Sequence, residues 1–134
     1  HNFLAQAQPG DYAAIHAYLH PTEATDAALL ALRTALRDQY KLATTVGYGP
    51  RFLHSTGQLH KGDSGNGLFI QFGANTNGDV SIPDEAGRSG STMSFNVLKQ
   101  AQALGDAQAL LEANRRVIRF DLEKDVNGRL ANLQ

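Results

Sequence analysis

Residues 51–67 read RFLHSTGQLHKGDSGNG, and they gather the side chains of this chain best suited to chemistry. Arg51 offers a planar fork of N–H donors that matches a phosphate or carboxylate, and Lys61 offers a compact positive charge. Ser55 and Thr56 add hydroxyl donors, while His54 and His60 are imidazoles able to exchange a proton near neutral pH. No acidic residue lies between Asp38 and Asp63, whereas Lys41, Arg51, Lys61, His54 and His60 all fall inside that window. Glycines at 47, 49, 57 and 62 let backbone N–H groups approach a ligand, and successive N–H groups can form an anion nest. The expected chemistry is therefore anion binding by Arg51, Ser55, Thr56 and Lys61, with His54 and His60 as acid–base candidates.

Two other chemistries are weaker. Gly62-Asp63-Ser64-Gly65 matches the tetrapeptide around the nucleophile of trypsin-like proteases. A serine is a poor nucleophile without a base and an oxyanion hole, and this chain is too short and too helical for the two barrels that assemble them. Asp-Ser-Gly-Asn also reads as the turn before a strand. A metal on His54, His60 and Asp63 would need a spacing that is not the helical i, i+4 pair, so no metal and no cofactor are expected. A second anion candidate is Ser89-Gly90-Ser91-Thr92-Met93-Ser94, where Ser91 and Thr92 precede a helix N-terminus with free N–H groups. His16, among alanines in a strand, reads as a packed or partly exposed histidine, and Tyr12, Tyr18 and Tyr48 as core aromatics with a wet tip.

The elements that must position these groups alternate. Residues 12–19 predict a strand, and Pro21-Thr22-Glu23 starts a helix with Thr22 as cap and Leu29, Leu32 and Leu36 on one face. Residues 41–48 predict a second strand, 51–66 a long glycine-rich loop, and 67–72 (GLFIQF) a central third strand. After a loop over 75–94, Ser94 caps a helix to about 104. Gly105-Asp106 reads as a break, with Asp106 capping a further helix to about 115. Residues 117–122 (VIRFDL) alternate as an edge strand, and Asp125 opens a terminal helix with Val126, Leu130 and Leu133 inward. The order β-α-β-β-α-α-β-α predicts an α/β single layered domain, with helices packed on a mixed four-stranded sheet. Its first two strands are parallel through a right-handed crossover.

Composition bounds the partners. The chain has 134 residues, enough for one domain spanning residues 1–134. A formal net charge of −1 provides no global field toward nucleic acid or membrane, and neither is an expected partner. Without cysteine there is no disulfide or thiolate chemistry, which fits a reducing, cytoplasmic setting. No apolar run reaches the roughly 18 residues of a bilayer span. The chain opens on His1-Asn2-Phe3, which suggests the C-terminal piece of a longer chain.

Residues 10–62, GDYAAIHAYLHPTEATDAALLALRTALRDQYKLATTVGYGPRFLHSTGQLHKG, resemble the C-terminal region of bacterial bifunctional transaldolase/glucose-6-phosphate isomerase fusion proteins. Residues 94–122, SFNVLKQAQALGDAQALLEANRRVIRFDL, are similar to the same region. The block GPRFLHSTGQLHKG is the most specific part; just after it the family tends to glycine and proline, where this chain has Asp63-Ser64-Gly65. The resemblance implies a domain that follows the isomerase core, with sugar phosphate and the upstream transaldolase and isomerase domains as partners. It places the Schiff-base lysine and the main isomerase groups upstream, so His54, His60 and Lys61 stand on their chemistry alone. The alternative is a structural or interaction domain that packs on the isomerase core or mediates oligomerisation.

Overall fold

In the computed structural model, residues 2–75, 78–123 and 125–133 are described. A 3₁₀ turn at Leu4–Gln6 leads into β1 (Tyr12–Tyr18), α1 (Glu23–Tyr40) and β2 (Ala43–Tyr48). A second 3₁₀ turn at Arg51–His54 precedes α2 (Thr56–Gly62) and β3 (Gly67–Gly73). The short strands β4 (Ser81–Ile82) and β5 (Met93–Ser94) come next, then α3 (Phe95–Glu112), β6 (Arg116–Asp121) and α4 (Val126–Ala131). The main sheet runs β2-β1-β3-β6, and every neighbouring pair in it is parallel. Tyr12 sits opposite both Ala43 and Gly67, and Ile15 opposite both Val46 and Ile70. This is the expected α/β layer of four strands and packed helices.

β1 and β3 are buried along almost their whole length because both of their faces are covered, and their sequences YAAIHAY and GLFIQFG are correspondingly apolar. The two-residue period of a strand divides their side chains between two cores. Ala13, Ile15 and Ala17 join Leu68, Ile70 and Phe72 under Leu29, Leu32 and Leu36 of α1 and Leu130 of α4. On the other face, Ala14 and Phe69 meet Leu110 of α3, and Tyr18 meets Phe52 and Ala103. α1 starts where the capping residue predicts: Thr22 Oγ1 accepts from the Thr25 N–H at 3.1 Å. β6 is the exposed edge that its alternation predicts, with its side chains half-buried.

Two expectations are corrected. Residues 51–66 are not a long loop, since they form the 3₁₀ turn and α2. A helix here carries the chain across the sheet from β2 to β3, which is what a parallel connection needs. Gly57, whose composition suggested a loop, lies in α2 against Phe52; a Cβ there would come within 3.1 Å of Phe52 Cδ2 and of its carbonyl oxygen. Nor does α3 break at Gly105-Asp106: it runs unbroken from Phe95 to Glu112. Glycine inside a helix costs about 1 kcal/mol, and burial of Ala103, Ala107 and Leu110 offsets it. Asp106 is consequently not a cap but a buried side chain.

Candidate functional site

Strand β1 delivers His16 and Tyr18 to the face covered by α2 and α3, and both are almost completely buried. The residues around them form a polar cluster in an aromatic wall. His16 Nε2 lies 3.0 Å from His60 Nδ1, and the two rings stack with centroids 4.9 Å apart. On its other side, His16 Nδ1 is 3.4 Å from Asp106 Oδ2. Lys61 Nζ, one residue beyond His60 on α2, is 2.9 Å from Asp106 Oδ1. Phe52 and Phe69 flank the histidines, with ring centroids 4.5 Å and 5.4 Å from His16. The buried Gln71 of β3 donates to the Ala103 carbonyl at 3.0 Å. A line of polar groups thus runs Lys61–Asp106–His16–His60.

The electrostatics follow from burial. Desolvation by burial pushes the His60 imidazole down to about 4. Burial alone would raise the Asp106 carboxyl, but His16 and Lys61 outweigh it and hold Asp106 below the usual carboxylate range. The Tyr18 phenol moves upward, through burial first and the nearby Asp106 charge second. At neutral pH the cluster holds an ionised Asp106 and a neutral His60.

That depressed value makes stability depend on pH. Between about 4 and the ordinary 6.5 of a histidine, the unfolded chain binds a proton at residue 60 that the folded chain refuses. Stability from this group is full above pH 6.5 and falls as pH drops toward 4, by at most about 1.4 kcal/mol per pH unit and less for a half-buried ring. Urea midpoints measured from pH 7 to 4 are expected to decline, and His60→Gln to flatten that part of the profile. A wild-type profile level across the window would contradict this account.

A second feature lies at the carboxyl ends of the strands. The connection from β1 runs to β2 on one side and the next, from β2, returns past β1 to β3 on the other, and ligands of open α/β sheets bind in the crevice at such a reversal. A crevice of about 410 Å³ lies there, lined among others by His20, Tyr48, Arg51, Asp79, Asn96 and Lys99. The Arg51 guanidinium stands 5.5 Å over the Tyr48 ring and is exposed to solvent. Lys99 Nζ donates to the Ala74 carbonyl at 3.1 Å. The turn Arg51–His54 links the two features: Arg51 lines the crevice and the next side chain, Phe52, packs on His16.

Of the residues singled out by sequence, the structure brings His60 and Lys61 into the buried cluster and puts Arg51 on the crevice. His54 and Thr56 are exposed. Ser55 Oγ donates to the Phe52 carbonyl at 3.1 Å. Ser91 Oγ donates to the Met93 carbonyl at 2.7 Å, and Thr92 is held by Asp84 through its N–H and hydroxyl. At the start of α3, the Asn96 N–H is taken by Asp79 Oδ1 and the Val97 N–H by Ser94 Oγ. Asp63 binds Tyr12 and Arg115, and Ser64 donates to Asn66 Oδ1. Among the described residues, no group of three or more His, Cys, Asp or Glu side chains is placed to hold a metal. Nor is any described helix long and apolar enough to cross a membrane. His16, Asp106 and His20 were not sequence candidates; only the isolated polar character of His16 and Asp106 in apolar stretches marked them.

No family model and no curated protein matches this chain. Among solved structures, it is similar to the crystal structure of a hypothetical protein, TT0462, from Thermus thermophilus, with a TM-score of 0.72 at 17% identity. The match covers 91% of this chain and 32% of that one, so this chain spans about a third of its neighbour's length. At that identity the likeness establishes the fold.

Proposed function

We propose that this chain is a sugar-phosphate-binding domain of an aldose–ketose isomerase, acting with upstream domains of a transaldolase/glucose-6-phosphate isomerase fusion. The observation that carries this reading is the crevice at the strand-order reversal, with an exposed arginine on its rim. Its volume suits a ligand of small-metabolite size. Arg51 is the phosphate anchor, because its guanidinium has donors to spare while Lys61 is engaged by Asp106. Lys99 and His20 add positive or polar character, and the Asn96 amide suits sugar hydroxyls.

His60 is the acid–base candidate; it lies in the buried cluster and not on the crevice lining, and is joined to it through Phe52, which follows Arg51 and whose ring centroid is 6.3 Å from that of His60. Opening a cyclic hemiacetal removes the proton of the anomeric hydroxyl and breaks the ring C–O bond, with the electron pair going to the ring oxygen. A proton then returns to that oxygen, so one neutral imidazole can serve both steps without net proton change.

The test is titration of the ¹⁵N-labelled chain with glucose 6-phosphate and with inorganic phosphate. Amide shifts are expected at residues 19–21, 48–51 and 95–99. Loss of one charge-assisted contact is worth about 1.5–3 kcal/mol, so Arg51→Ala is expected to weaken binding about 10- to 100-fold. Unmoved resonances at millimolar sugar phosphate would reject the reading for this chain.

A second reading, a domain that docks on a partner, draws on a different feature. An apolar groove of about 460 Å³ lies beside the open edge of β6, lined by Phe3, Leu4, Ile70, Phe72, Ile118 and Phe120 among others. Light scattering that shows a monomer at high protein concentration would count against self-association through it.

A further inference from the structure

We propose that Asp106, His16 and His60 form a directional proton relay, in which the buried Asp106 and His16 fix the tautomer of His60 and leave its Nε2 as the acid–base atom. The argument is one of donor and acceptor counting. An ionised carboxylate can only accept, so the ring nitrogen that faces it, His16 Nδ1, carries a hydrogen. When His16 is neutral it has one N–H, so its Nε2 is then a lone pair. That lone pair lies 3.0 Å from His60 Nδ1, which must therefore donate. By the same count, His60 Nε2 is left with its lone pair free. For a neutral His16 each step follows from the one before it, and the chain begins at a carboxylate that Lys61 holds charged at 2.9 Å.

The relay also gives a path for charge. When a hydroxyl O–H breaks and its proton joins His60 Nε2, the proton on His60 Nδ1 can pass to His16 Nε2. The result is a neutral His60 and a His16 imidazolium whose Nδ1–H faces the Asp106 carboxylate. One proton has entered and one positive charge has moved inward to a negative partner; the reverse sequence returns it. The groups that face His60 are Tyr12, Phe52 and Phe69, with ring centroids at 6.2, 6.3 and 5.1 Å, besides His16. The charged groups that act on it are Asp106, Asp63 and Lys61, and His16 when it carries a second proton. Asp63 is tied to Tyr12 and Arg115, and Lys61 to Asp106, which leaves the His16 contact to orient the ring. His16 and Asp106 are thus positioning residues that act through His60.

This inference deepens the function proposed above and rests on it for the identity of the proton donor, but the tautomers are read without any ligand. The experiment is a two-bond ¹H–¹⁵N correlation spectrum of the imidazoles in the ligand-free chain at pH 7. Both His16 and His60 are expected as the Nδ1–H tautomer, with an unprotonated Nε2. In Asp106→Asn, the amide can accept or donate, so a mixture of tautomers is expected at His60 while the amide spectrum remains that of a folded chain. A His60 that carries its hydrogen on Nε2 in the wild-type chain overturns the relay, as does an unchanged single tautomer in folded Asp106→Asn. The wild-type spectrum decides the question even where the variant does not fold. Sugar-phosphate binding with the opposite tautomer would sink the relay alone, and the expected tautomers without binding would sink the function alone.

Discussion

Asp106→Ala is expected to lower the free energy of unfolding by about 3–5 kcal/mol, the range for removing one partner of a buried ion pair. The Asp106 side chain is 1% exposed, so the carboxylate gets almost no help from water and depends on what surrounds it. Its removal strands three groups at once. Lys61 loses its counter-ion while its side chain remains only 23% exposed. His16 Nδ1 loses the carboxylate that lies 3.4 Å from it, and the buried Tyr18 hydroxyl loses the polar group beside it. A methyl in place of the carboxylate also leaves a small void against Tyr18 and His16. Equilibrium urea denaturation at pH 7 measures the effect, and a loss below about 1 kcal/mol would show that the cluster is not a buried ion pair.

Phe69→Ala is expected to cost a comparable amount, about 3–5 kcal/mol, through a cavity in the core beneath α3. Phe69 has no exposed surface and packs on Ala14 and Leu110. It meets Tyr12 edge to face at 6.0 Å, a contact worth about 0.5–1.5 kcal/mol beyond its area. Gly67 is glycine because a Cβ there would run into the Phe69 ring, so the strand is shaped around this side chain. The variant carries a second signature that a simple loss of packing elsewhere would not. Phe69 is part of the wall that desolvates His60, at 5.1 Å. Without it, water reaches the imidazole, and its pKa is expected to rise from about 4 toward the ordinary 6.5. The acid-induced loss of stability should shrink accordingly, since the folded and unfolded chains would then bind protons more alike. NMR titration of the His60 ring reads this directly; an unchanged low value in a folded variant would mean that the desolvation comes from elsewhere.

The sites of these two variants show what local pattern does and does not carry. The apolar runs of β1 and β3 and the Leu29, Leu32, Leu36 spacing of α1 are properties of neighbouring residues, and they appear in the structure as the periodicity predicts. So does the Thr22 cap, because a capping hydrogen bond closes over three residues. α2 was illegible for the opposite reason: its glycines favour a loop locally, and it is helical because Gly57 must fit beneath Phe52 and the chain must cross to a parallel strand. Asp106 misled in the same way. A Gly-Asp pair reads as a helix boundary, yet packing of Ala103, Ala107 and Leu110 on the sheet carries α3 through it.

By itself, then, the sequence determined the α/β class, the edge position of β6 and the chemical content of residues 51–67, because composition and short-range periodicity decide them. Only the tertiary structure decided which of those groups work together. His16 and His60 are 44 residues apart in the chain, and no local rule pairs them. They meet because β1 turns its even-numbered side chains toward the face that α2 and α3 cover, and that same packing excludes the water that would otherwise hold Asp106, Lys61 and the two histidines apart.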